Sequence, residues 1–176
     1  MILFRHTDPR FPFLWETASQ PAARWHAEGE GPAQYLAETA DGAWAELLRH
    51  EEITDPADLE TIQRSLWAIE VPEPPEARPR LSRAVATGGL SSYARCQVEA
   101  RRLRARDADG LRAPSAALEP RSASGWRVAG GLRPGPRREE GVVVLFGARP
   151  ELVGWAACDR GRPRADLLPR VRRLTE

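Results

Sequence analysis

The chain has no lysine, so all 26 of its basic residues are arginine. Alanine, glycine and proline are frequent as well. A GC-rich genome explains that combination, and it carries no mechanism. Cysteine is nearly absent: Cys96 and Cys158 stand far apart with no ligand pattern nearby. That argues against a disulfide framework or a structural zinc site and leaves two reduced, mostly buried thiols as the expectation. No apolar run approaches the ~20 residues that cross a bilayer. The opening Met1-Ile2-Leu3-Phe4-Arg5 lacks the layout of a signal peptide. A cytoplasmic protein without a membrane partner is therefore expected. There is no GxGxxG element, which disfavours a Rossmann dehydrogenase. The three histidines show no ligand spacing, so no metal is expected.

Neither a repeat nor a linker interrupts the chain, and 176 residues suit one domain, 1–176, with a real core. The balance of 26 basic against 25 acidic residues hides an asymmetry. Acidic residues crowd the first half and arginines the second. A nucleic-acid surface would need a recognisable motif and uninterrupted basic runs. Neither is present, and no direct nucleic-acid contact is expected.

The pattern predicts a strand at Ile2–Arg5, a long proline-bearing loop from Thr7 to Pro32, and a strand at Gln34–Ala37. Long loops inside compact domains tend to carry function. Asp41 suits the N-cap of a helix over Gly42–Glu52, whose apolar arc holds Ala43, Trp44, Leu47 and Leu48. Glu46 falls outside that arc. Asp55-Pro56 opens a further helix with Leu59 and Ile62 buried, and Leu66–Val71 reads as a strand stopped by Pro72. A helix from Ser91 or Ser92 to about Arg106 is expected to end at Gly110, with Val98 and Leu103 in the core. Val142–Phe146 is the strongest strand signal, and Leu152–Ala157 is another candidate. Arg121–Glu140 is the least ordered stretch by composition. Strands and helices without strict alternation indicate an α+β fold.

The polar residues carry the functional signal. Arg24 beside Trp25 lies in the long loop, Tyr35 on a strand, Glu46 on a helix, and Ser115 after Pro114 in a second loop. Tyr35 and Glu46 follow Arg24 at two equal intervals. A guanidinium, a phenol, a carboxylate and a hydroxyl on separate elements meet only through the fold, as a polar ligand site requires. Taken singly, each has a plainer role. Arg24 could pack on an indole, Tyr35 could be a core aromatic, Glu46 could pair with Arg49 or His50, and Ser115 could sit in a turn.

Four segments in order resemble the RES-domain family, named for Arg, Glu and Ser. They are Leu3-Phe4-Arg5, Arg24-Trp25, the run from Gln34-Tyr35 through Ala45-Glu46, and Leu111-Arg112-Ala113-Pro114-Ser115-Ala116. The resemblance extends to the Val142–Phe146 strand. The family's Gly-Gly-Arg-Trp-Asn is replaced here by Ala22-Ala23-Arg24-Trp25-His26. Alanine restricts backbone that glycine leaves free, which bears on any close approach to a ligand. His26 bears on phosphate binding and pH dependence.

The resemblance implies a single domain like the ADP-ribosyltransferase toxin fold, with mixed sheets and helices around an NAD cleft. It implies cleavage of the nicotinamide–ribose bond of NAD+, with inorganic phosphate as co-substrate and no other cofactor or metal. Arg24, Tyr35, Glu46 and Ser115 are the implied catalytic set. Arg5, Arg24, Trp25, His26, Tyr35 and Ser115 are the implied substrate contacts. A toxin role with a separate helix-turn-helix antitoxin also follows from the resemblance, and a homodimer is compatible with it. Water as acceptor, transfer of ADP-ribose to a macromolecule, and a catalytically silent binder of the same fold are the competing readings.

Overall fold

Six antiparallel strands build the main sheet, and one seam in it is weakly paired. A computed structural model describes residues 1–174. Thr175 and Glu176, which the sequence assigns to the same domain, lie outside the described residues. The strands are β1 (Ile2–Thr7), β2 (Ala33–Ala37), β3 (Arg64–Glu70), β4 (Gly110–Pro114), β5 (Trp126–Val128), β6 (Leu132–Pro134), β7 (Gly141–Phe146) and β8 (Val153–Gly161). The main sheet runs β4-β7-β2-β1-β3-β8, while β5 and β6 form a separate hairpin. Three α-helices accompany them: α1 (Ala40–His50), α2 (Arg83–Thr87) and α3 (Tyr93–Arg104). The fold is α+β, as the sequence indicates. Among the described residues, no helix is long and apolar enough to cross a membrane.

Pairing is uneven across the main sheet. β1 matches β3 at six positions and β2 matches β7 at five. β1 and β2 meet only at Phe4 and Ala37. Away from that point the two half-sheets part, and the gap between them is the entrance to the molecule's interior.

Alternation along β7 distributes the core. Val142 and Val144 pack with Cys96, Ala100 and Leu103 of α3, while Val143 and Leu145 pack with Leu3, Leu36 and Ile69. Phe13 and Leu14 of the long loop cover the second cluster. Helix α1 is buried on most of its circumference and shares a third cluster with Leu59, Leu66, Leu118 and Leu167.

The N-cap of α1 is Thr39, not Asp41. Thr39 has extended backbone, and its Oγ1 accepts the Gly42 N–H at 2.9 Å. Glu140 explains the preference. Its Oε1 accepts the Thr39 N–H at 2.9 Å, and its Oε2 accepts the Thr39 hydroxyl at 2.7 Å. The Glu140 carbonyl also accepts the Ser115 N–H at 2.9 Å. One buried residue therefore ties the start of the Glu46 helix to the end of β4. Burial pushes the Glu140 carboxyl up to about 7, against the lowering effect of the Thr39 hydrogen bonds.

Other expectations change with the packing. Gly110 opens β4 instead of ending α3, because a Cβ there would overlap the Val144 carbonyl. α3 ends at Arg104, and Asp107 takes the positive φ that follows it. Val98 is 58% exposed and outside the core. The buried stripe of α3 includes Glu99 in its place, held by Arg80 N–H at 2.5 Å and by Arg102. Leu111–Pro114 is a strand paired with β7 rather than a loop. Asp55 does cap the next element, but that element is a 3-10 turn, Pro56–Thr61. Cys96 is buried and Cys158 only half-buried. α2 and the β5–β6 hairpin have no counterpart in the sequence pattern.

Gly42 tests the Thr39–Glu140 clamp. Alanine is the better helix former by about 1 kcal/mol. A Cβ at this position would overlap Glu140 Oε1, however, and displace a carboxyl held by two bonds. Overpacking of that kind costs about 1–3 kcal/mol. Gly42→Ala is expected to lower stability in urea unfolding. A more stable variant would contradict the clamp.

Candidate active site

Where the half-sheets part lies a cavity of about 240 Å³. Phe4, Arg5 and His6 line it from β1, and Tyr35 and Leu36 from β2. Glu46 and Arg49 enter from α1, while Arg24 and Trp25 enter from the loop between β1 and β2. Five of the predicted residues therefore converge: Arg5, Arg24, Trp25, Tyr35 and Glu46. His26 and Ser115 stand behind the lining.

The turn Ala23–His26 presents Arg24 and Trp25. Ala23 N–H donates to the His26 carbonyl at 3.0 Å, and His26 N–H returns the bond at 3.4 Å. Gln97 of α3 donates its Nε2 to both carbonyls, at 2.9 and 3.2 Å. Neither Ala22 nor Ala23 is among the residues with positive φ. The turn thus requires no conformation that alanine resists.

His26 is wholly buried, and its ring is spoken for. Nε2 lies 2.9 Å from the Pro21 carbonyl, an acceptor, so Nε2 carries the proton. Nδ1 is then an acceptor, and it receives the Tyr35 hydroxyl at 3.0 Å. The same hydroxyl accepts the Trp25 N–H at 2.9 Å. Burial lowers the His26 pKa and raises that of Tyr35, which keeps both groups neutral. His26, expected among the substrate contacts, sits behind the lining and latches Tyr35 to the loop. Tyr35 faces the cavity with its ring, but its one proton is committed to His26.

Ser115 is likewise a support. Its hydroxyl donates to Glu46 Oε1 at 3.3 Å and accepts the Ala117 N–H at 3.1 Å. The residue is 4% exposed, and its neighbours Pro114 and Ala116 reach the cavity in its place. Ser115 therefore backs the Glu46 carboxylate from behind the lining. Glu46 keeps its second oxygen without a hydrogen-bond partner among the described residues.

Arg5 bridges the seam. Its Nη1 donates to Gln34 Oε1 at 2.7 Å, and it pairs with Glu16. Burial pulls its pKa down to about 10, which leaves it charged at neutral pH. Because Glu16 answers that charge, Arg5 acts as a strut between β1 and β2. Arg24 is different. It is 7% exposed, donates to Ser92 Oγ at 2.9 Å and to the Gly88 carbonyl at 2.6 Å, and lies over the Tyr93 ring at 4.7 Å.

Sequence reasoning missed Arg49 and His6. Arg49 is one helical turn past Glu46, and that spacing placed both on one face. It was read only as a surface ion-pair partner. His6 borders the cavity with Nδ1 buried and unpartnered among the described residues. Burial, then the charges of Arg5, Arg64 and His50, lower its pKa to about 3. Among the described residues no cluster of three or more His, Cys, Asp or Glu could hold a metal ion.

The family model described as RES domain matches residues 2–157 of this chain. No curated protein matches it.

Two outcomes test this geometry. Tyr35→Phe strands the Trp25 N–H and the His26 lone pair, which should cost about 1–3 kcal/mol of stability. A hydroxyl reserved for ligand would leave stability unchanged in denaturant melts. His6 is neutral when folded but protonates when unfolded below pH 6.5. Its contribution is therefore complete above 6.5 and is lost as pH falls toward about 3. A His6→Gln variant should unfold less steeply with acid between those values. An unchanged acid profile would remove His6 from the account.

Proposed function

The chain belongs to the RES-domain family, and on that footing we propose that it cleaves the nicotinamide–ribose bond of NAD+ by phosphorolysis. One observation carries the reading. A carboxylate, Glu46, and a buried guanidinium, Arg24, enter the same cavity from different elements, each held by protein partners.

Breaking this bond sends the electron pair to nicotinamide, which leaves neutral, while positive charge grows on the ribose ring. A fixed carboxylate beside the ring stabilises that state more than the ground state. Glu46 takes this role, and Ser115 holds its orientation. A phosphate oxygen then bonds to the anomeric carbon, giving ADP-ribose 1″-phosphate. The cavity, at about 240 Å³, is below the roughly 300–1,000 Å³ that encloses a drug-sized ligand. It takes the nicotinamide riboside end, packed on Tyr35, and the adenosine half lies in the open mouth.

Hydrolysis is the second reading, supported by a Glu46 oxygen that has no hydrogen-bond partner among the described residues and could take a proton from water. The wider expectations belong to the same proposal. These are the toxin role, a helix-turn-helix antitoxin on a separate chain, a homodimer, a cytoplasmic setting and kinship with ADP-ribosyltransferase toxins. The seam in the main sheet gives that kinship a cleft to work with.

Nicotinamide release from NAD+ with and without phosphate, followed by phosphorus NMR, tests the reading. Glu46→Gln keeps shape and removes charge, and it should slow turnover on the order of 10²-fold, about 2.7 kcal/mol. Full activity in that variant, or no nicotinamide from the wild type, would overturn the proposal.

A further inference from the structure

We infer that Arg49 and Arg24, which line the cavity and are joined behind it through the Gly88 carbonyl, together form a subsite for a phosphoryl anion. The inference rests on the reading above and names the residue that completes it.

Three observations converge. First, both guanidiniums are buried, Arg49 at 4% and Arg24 at 7% exposure, and both line the cavity. Second, they share one acceptor: Arg24 Nη2 lies 2.6 Å and Arg49 Nη2 3.2 Å from the Gly88 carbonyl. Third, neither joins any ion pair among the described residues. Two buried cations on a single neutral carbonyl repel each other and forfeit hydration. Burial lowers the Arg49 pKa; the Glu46 carboxylate, which makes no ion-pair contact with it, partly offsets this, and the Arg24 charge lowers it further. An anion between them reverses both penalties.

The remaining donors show which anion suits. Arg49 Nη1 donates to the Ala116 carbonyl at 2.6 Å, and its second Nη2 bond goes to the Arg173 carbonyl at 3.4 Å. Its Nε is buried and has no acceptor among the described residues. Arg24 spends one hydrogen of each Nη on Ser92 and Gly88. Several N–H groups from two planar forks are thus left without acceptors. A tetrahedral oxyanion with three or four acceptor oxygens matches that set better than a planar carboxylate. The phosphoryl group is either free phosphate, the attacking acceptor, or the pyrophosphate of the dinucleotide. As acceptor it needs no base, since an oxyanion forms the C–O bond directly as nicotinamide departs with its electron pair.

The wild-type protein and Arg49→Met, which keeps the stem and removes the fork, are titrated with inorganic phosphate and separately with ADP-ribose. Binding is read by calorimetry at fixed ionic strength. Weakening of inorganic phosphate by tenfold or more in Arg49→Met identifies the acceptor. Weakening confined to ADP-ribose identifies the pyrophosphate. Arg49→Lys, which retains charge, should fall between wild type and Arg49→Met and guards against loss of folding in the latter. In turnover, the ratio of NAD+ loss with and without phosphate should collapse toward one if the acceptor is bound here. Equal binding of both ligands by all three proteins, or no binding of either by wild type, overturns the subsite. Binding that fails to accompany any nicotinamide release would sink the proposed reaction while leaving the subsite intact.

Discussion

A single register pair, Phe4 with Ala37, is the one strand pairing between two otherwise well-paired half-sheets among the described residues, and the cavity lies beside it. Full pairing would have closed the sheet and filled the gap with side chains. The backbone groups released at the seam must be answered elsewhere, and side chains do this. Arg5 reaches Gln34 across the gap. Gln20 bonds both the carbonyl and the N–H of Ala33, at 3.0 and 2.7 Å, in the manner of a missing strand. The opening is therefore braced on both sides, and Gln20 answers the Ala33 backbone.

The residues around the opening fall into two kinds. Glu46, Arg24 and Arg49 face the cavity. Ser115, His26, Gln97 and Glu140 hold those residues, or the segments that bear them, from behind. Glu140 bonds the cap of α1 and the Ser115 amide at once, so the helix with the carboxylate is tied to the residue just past β4 that carries its hydroxyl support. Such backing is what fixes a polar side chain closely enough for transition-state stabilisation.

Much of this was legible in the sequence. The α+β class, the β1, β2, β3 and β7 strands, helix α1 and the loop bearing Arg24 all follow from periodicity and punctuation. The convergence of Arg24, Tyr35 and Glu46 followed from their order. Support roles did not, because they depend on partners far along the chain. Thr39 outranks Asp41 as a cap only because Glu140 is there. The Tyr35 hydroxyl is taken because a histidine stands at position 26. Ser115 turns inward because β4 pairs with β7 up to Pro114 and the chain then bends over Glu46. Arg49 was hidden by the local reading of a helix pair. A buried arginine without a carboxylate is visible only in three dimensions.

In the proposed reaction the seam cavity receives the nicotinamide riboside end of NAD+ beside Glu46. A crystal structure of Glu46→Gln soaked with NAD+ addresses it most directly. The expected result is the nicotinamide ribose between residue 46 and the Tyr35 ring, with phosphoryl oxygens on the Arg24 and Arg49 guanidiniums. Dinucleotide bound on another surface, with the cavity between β1 and β2 left to solvent, would contradict it.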